Sequence, residues 1–171
     1  MEEVAKGIYR QNGTIESAVR IPLILVHPWF FGVYPSYSPC QLTQDSEKKG
    51  YNLCIEKLLE SYRQTGNIIT LEVAPKIEST TRRVGESAGT AGRYIVPTFG
   101  GECFARSKPL IATWDSLARF LESFRSSFYF AGGQVVLGNS LLGGCLGTAL
   151  EELSVRGISG ELIETCCFLP R

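Results

Sequence analysis

The stretch that decides the fold is Ile21-Pro22-Leu23-Ile24-Leu25-Val26, which is followed directly by His27 and Pro28. Its residues are apolar without alternation, and three of them are β-branched. A continuous apolar run of this length, bounded by proline, is typical of a strand that is covered on both faces, as in a parallel sheet. The sequence therefore predicts that residues 21–26 form a central strand of an α/β domain.

From this strand onward, strand-like and helix-like segments alternate along the chain. Apolar residues at helical spacing predict helices over 46–65, 114–126 and 141–156, and apolar runs predict further strands over 68–73, 94–99, 128–137 and 161–168. This order predicts an α/β three-layer sandwich with about five mostly parallel strands, doubly wound. Inside the strand 128–137, the pair Gly132-Gly133 predicts a bulge or a close approach of backbones.

The 171 residues suit a single α/β domain over 1–171. Within residues 1–20, Asn12-Gly13 lies between short apolar runs and predicts a tight hairpin in an extension at the sheet edge. Residues 74–92 contain few side chains that a core could bury. We therefore predict a long loop there, with a lid or binding loop and a disordered segment as the two alternatives.

Charge and composition exclude several classes of function. Lysine plus arginine equals aspartate plus glutamate, 17 each, so no basic excess indicates nucleic acid as a partner. Without a signal-peptide pattern or an apolar run near the roughly 18 residues of a membrane span, we expect a cytoplasmic protein with no membrane partner. The six cysteines are then predicted to be thiols, and a single histidine without a CxxC pair predicts no metal site and no cofactor. Zero net charge is compatible with a homodimer.

The candidate site follows from the predicted sheet, because ligands of open α/β sheets bind beyond the carboxyl ends of the strands. Three loops would meet at that edge: the one that begins at His27, the one at 99–103, and the glycine-rich segment 138–145. The sequence thus predicts a small-molecule site at the carboxyl edge.

Cys145 is the candidate nucleophile of this site. It lies in the first turns of the helix 141–156, where the helix dipole and unpaired backbone N–H groups stabilise a thiolate. The amides of Gly144 and Cys145 could also bind an oxyanion. The alternative is a buried Cys145 on the inner helix face, with the preceding glycines allowing close packing.

His27 is the candidate general base, because it is the only side chain here that titrates near pH 7 without a shifted pKa. The alternative is a strand-end histidine whose ring is satisfied by the backbone. The remaining candidates for substrate binding are Gly144, Asn139, Ser140, Lys108, Trp29 and Glu102. Among them, Lys108 would contact an anionic substrate, and exposed basic residues that are only solvated are the alternative.

A resemblance to a known family is carried by Val136-Leu137-Gly138, Gly144-Cys145-Leu146, Ala149-Leu150 and Gly157. These residues resemble the strand, nucleophile and helix of the isochorismatase-like cysteine hydrolases. The resemblance covers the C-terminal third of the chain and the strand 21–26, and it implies Cys145 as nucleophile and Lys108 as the family's lysine. The family places a catalytic aspartate where this chain has His27. A divergent hydrolase that uses His27, a non-catalytic relative and an unrelated α/β domain are the three interpretations.

Two functions remain open from the sequence. The first is a small-molecule-binding α/β protein, in its enzymatic form a cysteine-dependent hydrolase. The second is a non-catalytic protein-interaction or self-associating domain that uses the aromatic loop 29–37. The first requires His27 and Cys145 at one solvent-reachable pocket, and the second requires an exposed apolar patch near that loop.

Overall fold

The computed structural model describes residues 1–13, 20–29, 45–98, 111–134 and 144–168. These residues form a mixed α/β fold with one seven-stranded sheet and four α-helices. The strands are β1 (Glu2–Ala5), β2 (Ile8–Asn12), β3 (Leu23–Val26), β4 (Asn67–Val73), β5 (Gly92–Thr98), β6 (Phe128–Gln134) and β7 (Gly160–Phe168). The helices are α1 (Asp45–Ser61), α2 (Ile77–Ala88), α3 (Trp114–Glu122) and α4 (Gly144–Ser154), and a 3₁₀ turn spans Ala74–Lys76.

The strand order is β1-β2-β5-β4-β3-β6-β7. The five strands from β5 to β7 in this order pair in parallel, and β1 and β2 add two antiparallel strands at one edge. The sheet therefore has two strands more than the sequence predicted, although its parallel part has five. The chain moves outward from β3 through β4 to β5, then returns to the other side of β3 for β6 and β7. The strand order thus reverses between β3 and β6.

Both faces of the sheet are covered, as the apolar run 21–26 predicted. All four residues of β3 are fully buried. Because side chains alternate along a strand, Ile24 and Val26 pack in one core cluster, while Leu23 and Leu25 pack in the other. The first cluster includes residues of α3 and α4, and the second includes residues of α1 and α2. The helices therefore lie in pairs on opposite faces of the sheet.

The predicted loop over 74–92 was wrong, because most of this segment is the 3₁₀ turn and helix α2. Its buried residues are Thr80, Val84 and Ala88, one for each turn of the helix. This narrow stripe of small side chains is sufficient for α2 to pack against the sheet and α1. Gly89, with φ 55°, ends the helix.

The N-terminal extension lies at the sheet edge as predicted, but its turn is elsewhere. Lys6 and Gly7 connect β1 to β2, and Gly7 has φ 75°. Asn12 and Gly13 cannot form the turn of a hairpin that starts with β2, because β1 and β5 already occupy both edges of that strand. The Asn12 amide instead donates to the Ala91 carbonyl, 3.4 Å away.

Arg82 offers a direct test of helix α2, since it is exposed in the helix interior. Proline there removes a helical hydrogen bond and clashes with the preceding turn, so Arg82→Pro should lower the free energy of unfolding by about 3 kcal/mol or more. The matched control Arg82→Ala should change it by less than about 0.5 kcal/mol. Urea denaturation measures both. Equal stabilities of the two variants would contradict the helix.

Candidate functional site

The sequence-predicted site lies where the strand order reverses, at the carboxyl ends of β3 and β6. Gly132, with φ 97°, lies beside Val26 and interrupts the register between β6 and β7. A Cβ at Gly132 would lie 2.4 Å from the Val26 carbonyl oxygen. At Gly133 it would lie 3.1 Å from that oxygen and 3.4 Å from the Leu146 nitrogen. The predicted bulge and the predicted close approach are both confirmed, and they bring the first turn of α4 to the end of β3.

His27 directly follows β3 in a conformation that few residues adopt. Its φ is 40°, in the left-handed region, and its backbone N–H donates to the Leu71 carbonyl at 3.0 Å. The imidazole Nε2 is 3.0 Å from the Thr98 hydroxyl at the end of β5. Left-handed residues other than glycine cost conformational energy and concentrate at functional sites. His27 is therefore held by its surroundings, not by its own backbone preference.

The protonation state of His27 follows from its burial. Desolvation by burial, together with the nearby Lys76 charge, lowers the pKa of the imidazole to about 4. The ring is therefore neutral at pH 7. Which ring nitrogen carries the proton depends on the tautomer, so the contact with Thr98 does not by itself assign the donor.

Residues 27–29, which we call the β3 exit turn, are fixed by side chains from several elements. The Tyr51 hydroxyl on α1 donates to the Pro28 carbonyl at 2.6 Å. The Lys76 ammonium donates to the Trp29 carbonyl. The Arg83 guanidinium lies 4.2 Å from the centre of the Trp29 ring. The exit turn is thus held by four contacts. Thr98 contacts the His27 ring, Tyr51 and Lys76 donate to the Pro28 and Trp29 carbonyls, and Arg83 lies over the Trp29 ring.

Glu72 and Lys76 are the residues that sequence reasoning missed. Glu72 is 1% exposed, and its carboxylate accepts hydrogen bonds from the Val73 backbone N–H at 2.8 Å and the Thr80 hydroxyl at 2.7 Å. Burial raises the pKa of this carboxyl, and the two hydrogen bonds partly oppose the shift. A signal was available: Glu72 is the one charged residue of the apolar run 68–73.

Cys145 is the second residue of α4, as the sequence predicted for a residue near a helix start. It is 8% exposed and belongs to the core cluster that also contains Val26, Leu146 and Ala149. Its location at the helix start agrees with the nucleophile hypothesis, while its burial agrees with the alternative of a core thiol. Gly144, the predicted oxyanion donor, opens the helix.

The other predicted substrate-binding residues divide into two groups. Trp29 is buried, and its indole Nε1 has no hydrogen-bond partner within the part of the chain that the structure describes. Those that lie outside the described residues are Asn139, Ser140, Lys108 and Glu102.

The neighbouring cysteines Cys166 and Cys167 face opposite sides of β7, since Cys166 packs in one core cluster and Cys167 in the other. Burial raises the pKa of both thiols, that of Cys167 to about 12. They are therefore poor nucleophiles at neutral pH.

Within the described ranges, no group of three or more His, Cys, Asp or Glu side chains is placed to hold a metal ion. The helices of the same ranges include none with the length and apolar character needed to cross a membrane. Comparison with protein-family models, with curated proteins and with solved structures finds no match for this chain.

The neutral, buried His27 predicts a specific acid sensitivity. Below pH 6.5, the ordinary pKa of histidine, His27 becomes protonated in the unfolded chain, whereas in the folded chain it stays neutral down to about pH 4. The contribution of the neutral His27 to the free energy of unfolding is thus fully present above pH 6.5 and is lost as the pH falls from 6.5 to 4. Asparagine tolerates the left-handed region and does not titrate. Between pH 7 and 4.5, the wild type should lose roughly 2–3 kcal/mol more than His27→Asn in urea denaturation. Equal losses would contradict a neutral buried His27.

The contact at Gly132 predicts that no side chain is tolerated there. Gly132→Ala combines a strained φ with a Cβ against a backbone oxygen, and should lower the free energy of unfolding by about 3 kcal/mol or more. The control is Gly147→Ala in α4, where a Cβ would meet nothing within 4 Å. That change should raise stability by about 0.5–1 kcal/mol. Thermal unfolding of both variants measures the contrast, and a stable Gly132→Ala protein would show that β3 and β6 are less closely packed.

Proposed function

We propose that this protein binds a small molecule at the carboxyl edge of its parallel strands and hydrolyses it with Cys145 as nucleophile and His27 as general base. One observation carries the proposal. The strand order reverses between β3 and β6, and the two residues suited to this chemistry directly follow β3 and open the helix after β6. In open α/β sheets, this reversal is where ligands bind.

The proposed reaction is acyl transfer to sulfur followed by hydrolysis. The Cys145 sulfur attacks the carbonyl carbon of an ester or amide, and its proton passes to the His27 imidazole. The new oxyanion accepts hydrogen bonds from backbone N–H groups at the start of α4, including those of Gly144 and Cys145. The carbon–heteroatom bond then breaks, and the leaving group takes the proton from His27. Water, deprotonated by the same imidazole, finally cleaves the thioester and restores the thiol.

The lowered pKa of His27 sets the resting state of this pair. With a pKa of about 4, the imidazole does not remove the thiol proton before substrate binds. The pair therefore rests as neutral thiol and neutral imidazole. Negative charge that develops on sulfur or oxygen during attack stabilises the imidazolium, so that proton transfer accompanies attack. In this proposal, Lys108, Asn139, Ser140 and Glu102 provide the polar contacts to the ligand.

The alternative function is a non-catalytic interaction or self-associating domain that uses the aromatic loop 29–37. Of this loop the structure describes Trp29, which is 7% exposed and packed in the core cluster with Tyr51 and Ile55. A residue buried in this way within its own domain does not anchor a partner. This observation favours the small-molecule site.

The first test is alkylation of Cys145 by iodoacetamide as a function of pH, with peptide mass spectrometry to separate the thiols. Cys145 should react at pH 7 at least about tenfold faster than Cys167, whose pKa is raised by burial. In His27→Asn the Cys145 alkylation rate should stay within about threefold, because the neutral imidazole does not ionise the resting thiol, whereas the turnover of acyl esters and amides should fall by about a hundredfold or more, because the base is lost.

The controls separate reactivity from unfolding. Cys167 must stay unmodified in the native wild type and in His27→Asn, and become modified in urea. A Cys145 that is as protected as Cys167 would remove the nucleophile and leave the alternative function. A reactive Cys145 leads to a panel of acyl esters and amides, with Cys145→Ser as the inactive reference.

A further inference from the structure

The β3 exit turn is held by one charged residue that has no part in the proposed reaction. Lys76 ends the 3₁₀ turn between β4 and α2, and its ammonium donates to the Trp29 carbonyl. Its side chain is half-buried, and burial lowers the pKa of its amine while the Glu72 carboxylate opposes that shift. A half-buried lysine directed at a backbone carbonyl fixes that carbonyl more tightly than water would, because the hydrogen bond is charge-assisted.

The hydrogen bond to the Trp29 carbonyl restricts the backbone conformation of the residues that follow His27. Pro28 fixes its own φ, and the Tyr51 hydroxyl holds the Pro28 carbonyl at 2.6 Å. Once the Trp29 carbonyl is also held, the backbone on the C-terminal side of His27 has little freedom left. The left-handed φ of His27 can then persist although histidine does not favour it.

Lys76 also acts on the His27 ring through its charge. The Thr98 hydroxyl on β5 lies 3.0 Å from the ring Nε2, and the Lys76 charge acts on the ring from the 3₁₀ turn. Two further titratable groups interact with their surroundings: the Tyr51 phenol on α1 donates to the Pro28 carbonyl, and the Glu72 carboxyl on β4 interacts with Lys76. The phenol is neutral because burial raises its pKa well above 10. The Glu72 carboxylate is turned toward Val73 and Thr80. Among these groups, the Lys76 cation is the one that acts on His27 as a like charge.

We propose that Lys76 is a positioning residue of this site: it fixes the Trp29 carbonyl and thereby the backbone of the β3 exit turn that begins with His27. This inference rests on the proposed function for its catalytic consequence. Its structural part concerns the residues of the turn alone.

The test uses Lys76→Met, which keeps the length of the side chain without charge or donor, and Lys76→Arg as the conservative control. His27 is the single histidine of the chain, so its ring protons give one unambiguous titration by NMR. In Lys76→Met the His27 midpoint should move upward from about 4, because a like charge is removed. Lys76→Arg should keep the wild-type midpoint.

A second readout reports the backbone of the turn. The chain has two tryptophans, and the indole N–H signal of Trp29, assigned by Trp29→Phe, should shift in Lys76→Met while that of Trp114 stays in place. Lys76→Arg should leave both signals unchanged. The unchanged Trp114 signal also shows that the variant is folded, since Trp114 is buried in the other core cluster.

The outcomes separate the two proposals. An unchanged His27 midpoint and an unchanged Trp29 signal in Lys76→Met would overturn the positioning role. So would Lys76→Arg behaving like Lys76→Met in both readouts, because the lost feature would then not be the cationic donor. If both readouts change, Lys76 positions the β3 exit turn, and a loss of at least about threefold in the turnover of an acyl ester extends this role to the proposed reaction. A Cys145 that is unreactive already in the wild type overturns the proposed function, and the NMR data still decide the role of Lys76.

Discussion

The structure depends on the close contact between β3 and β6 at the Val26 carbonyl. Gly132 passes this oxygen at a distance that excludes any side chain, and Gly133 lies against both the same oxygen and the first turn of α4. Because packed backbones leave no room for adjustment, the contact fixes the start of α4 relative to the end of β3. The positions of Cys145 and His27 are therefore consequences of one glycine pair.

The candidate site depends secondly on the desolvation of polar groups near the carboxyl ends of β3 and β4. His27 and Glu72 are both buried, and burial disfavours the charged form of each. The chain offsets the cost locally, through Thr98 for the imidazole and through Thr80 and the Val73 amide for the carboxyl. Apolar residues would fill these positions at lower cost, since buried polar groups contribute little net stability even when they are paired. Desolvated polar groups concentrated at one edge of a sheet are a feature of functional sites.

Much of this arrangement could be predicted from the sequence, and the omissions have physical causes. The five parallel strands were predictable because strands covered on both faces are uninterrupted apolar runs. Strands β1 and β2 were not, since their residues other than Ile8 are exposed or half-buried and the pairing of β2 depends on β5, far along the chain. Helix α2 was missed because a stripe of Thr80, Val84 and Ala88 lacks the large apolar residues by which a helix is recognised. Glu72 is hydrogen-bonded to Thr80 of that helix, and Lys76 ends the 3₁₀ turn before it. Because the helix was not predicted, neither residue could be assigned to the candidate site.

The three thiols of Cys145, Cys166 and Cys167 show that burial alone does not decide reactivity. All three are less than 10% exposed. Cys166 and Cys167 lie within β7, where burial raises the pKa of both thiols. Cys145 lies in the first turn of α4, and helix starts favour negative charge through the dipole and through N–H groups that lack an intrahelical partner. Location at a helix start, more than any difference in exposure, therefore makes Cys145 the nucleophile candidate among these three thiols.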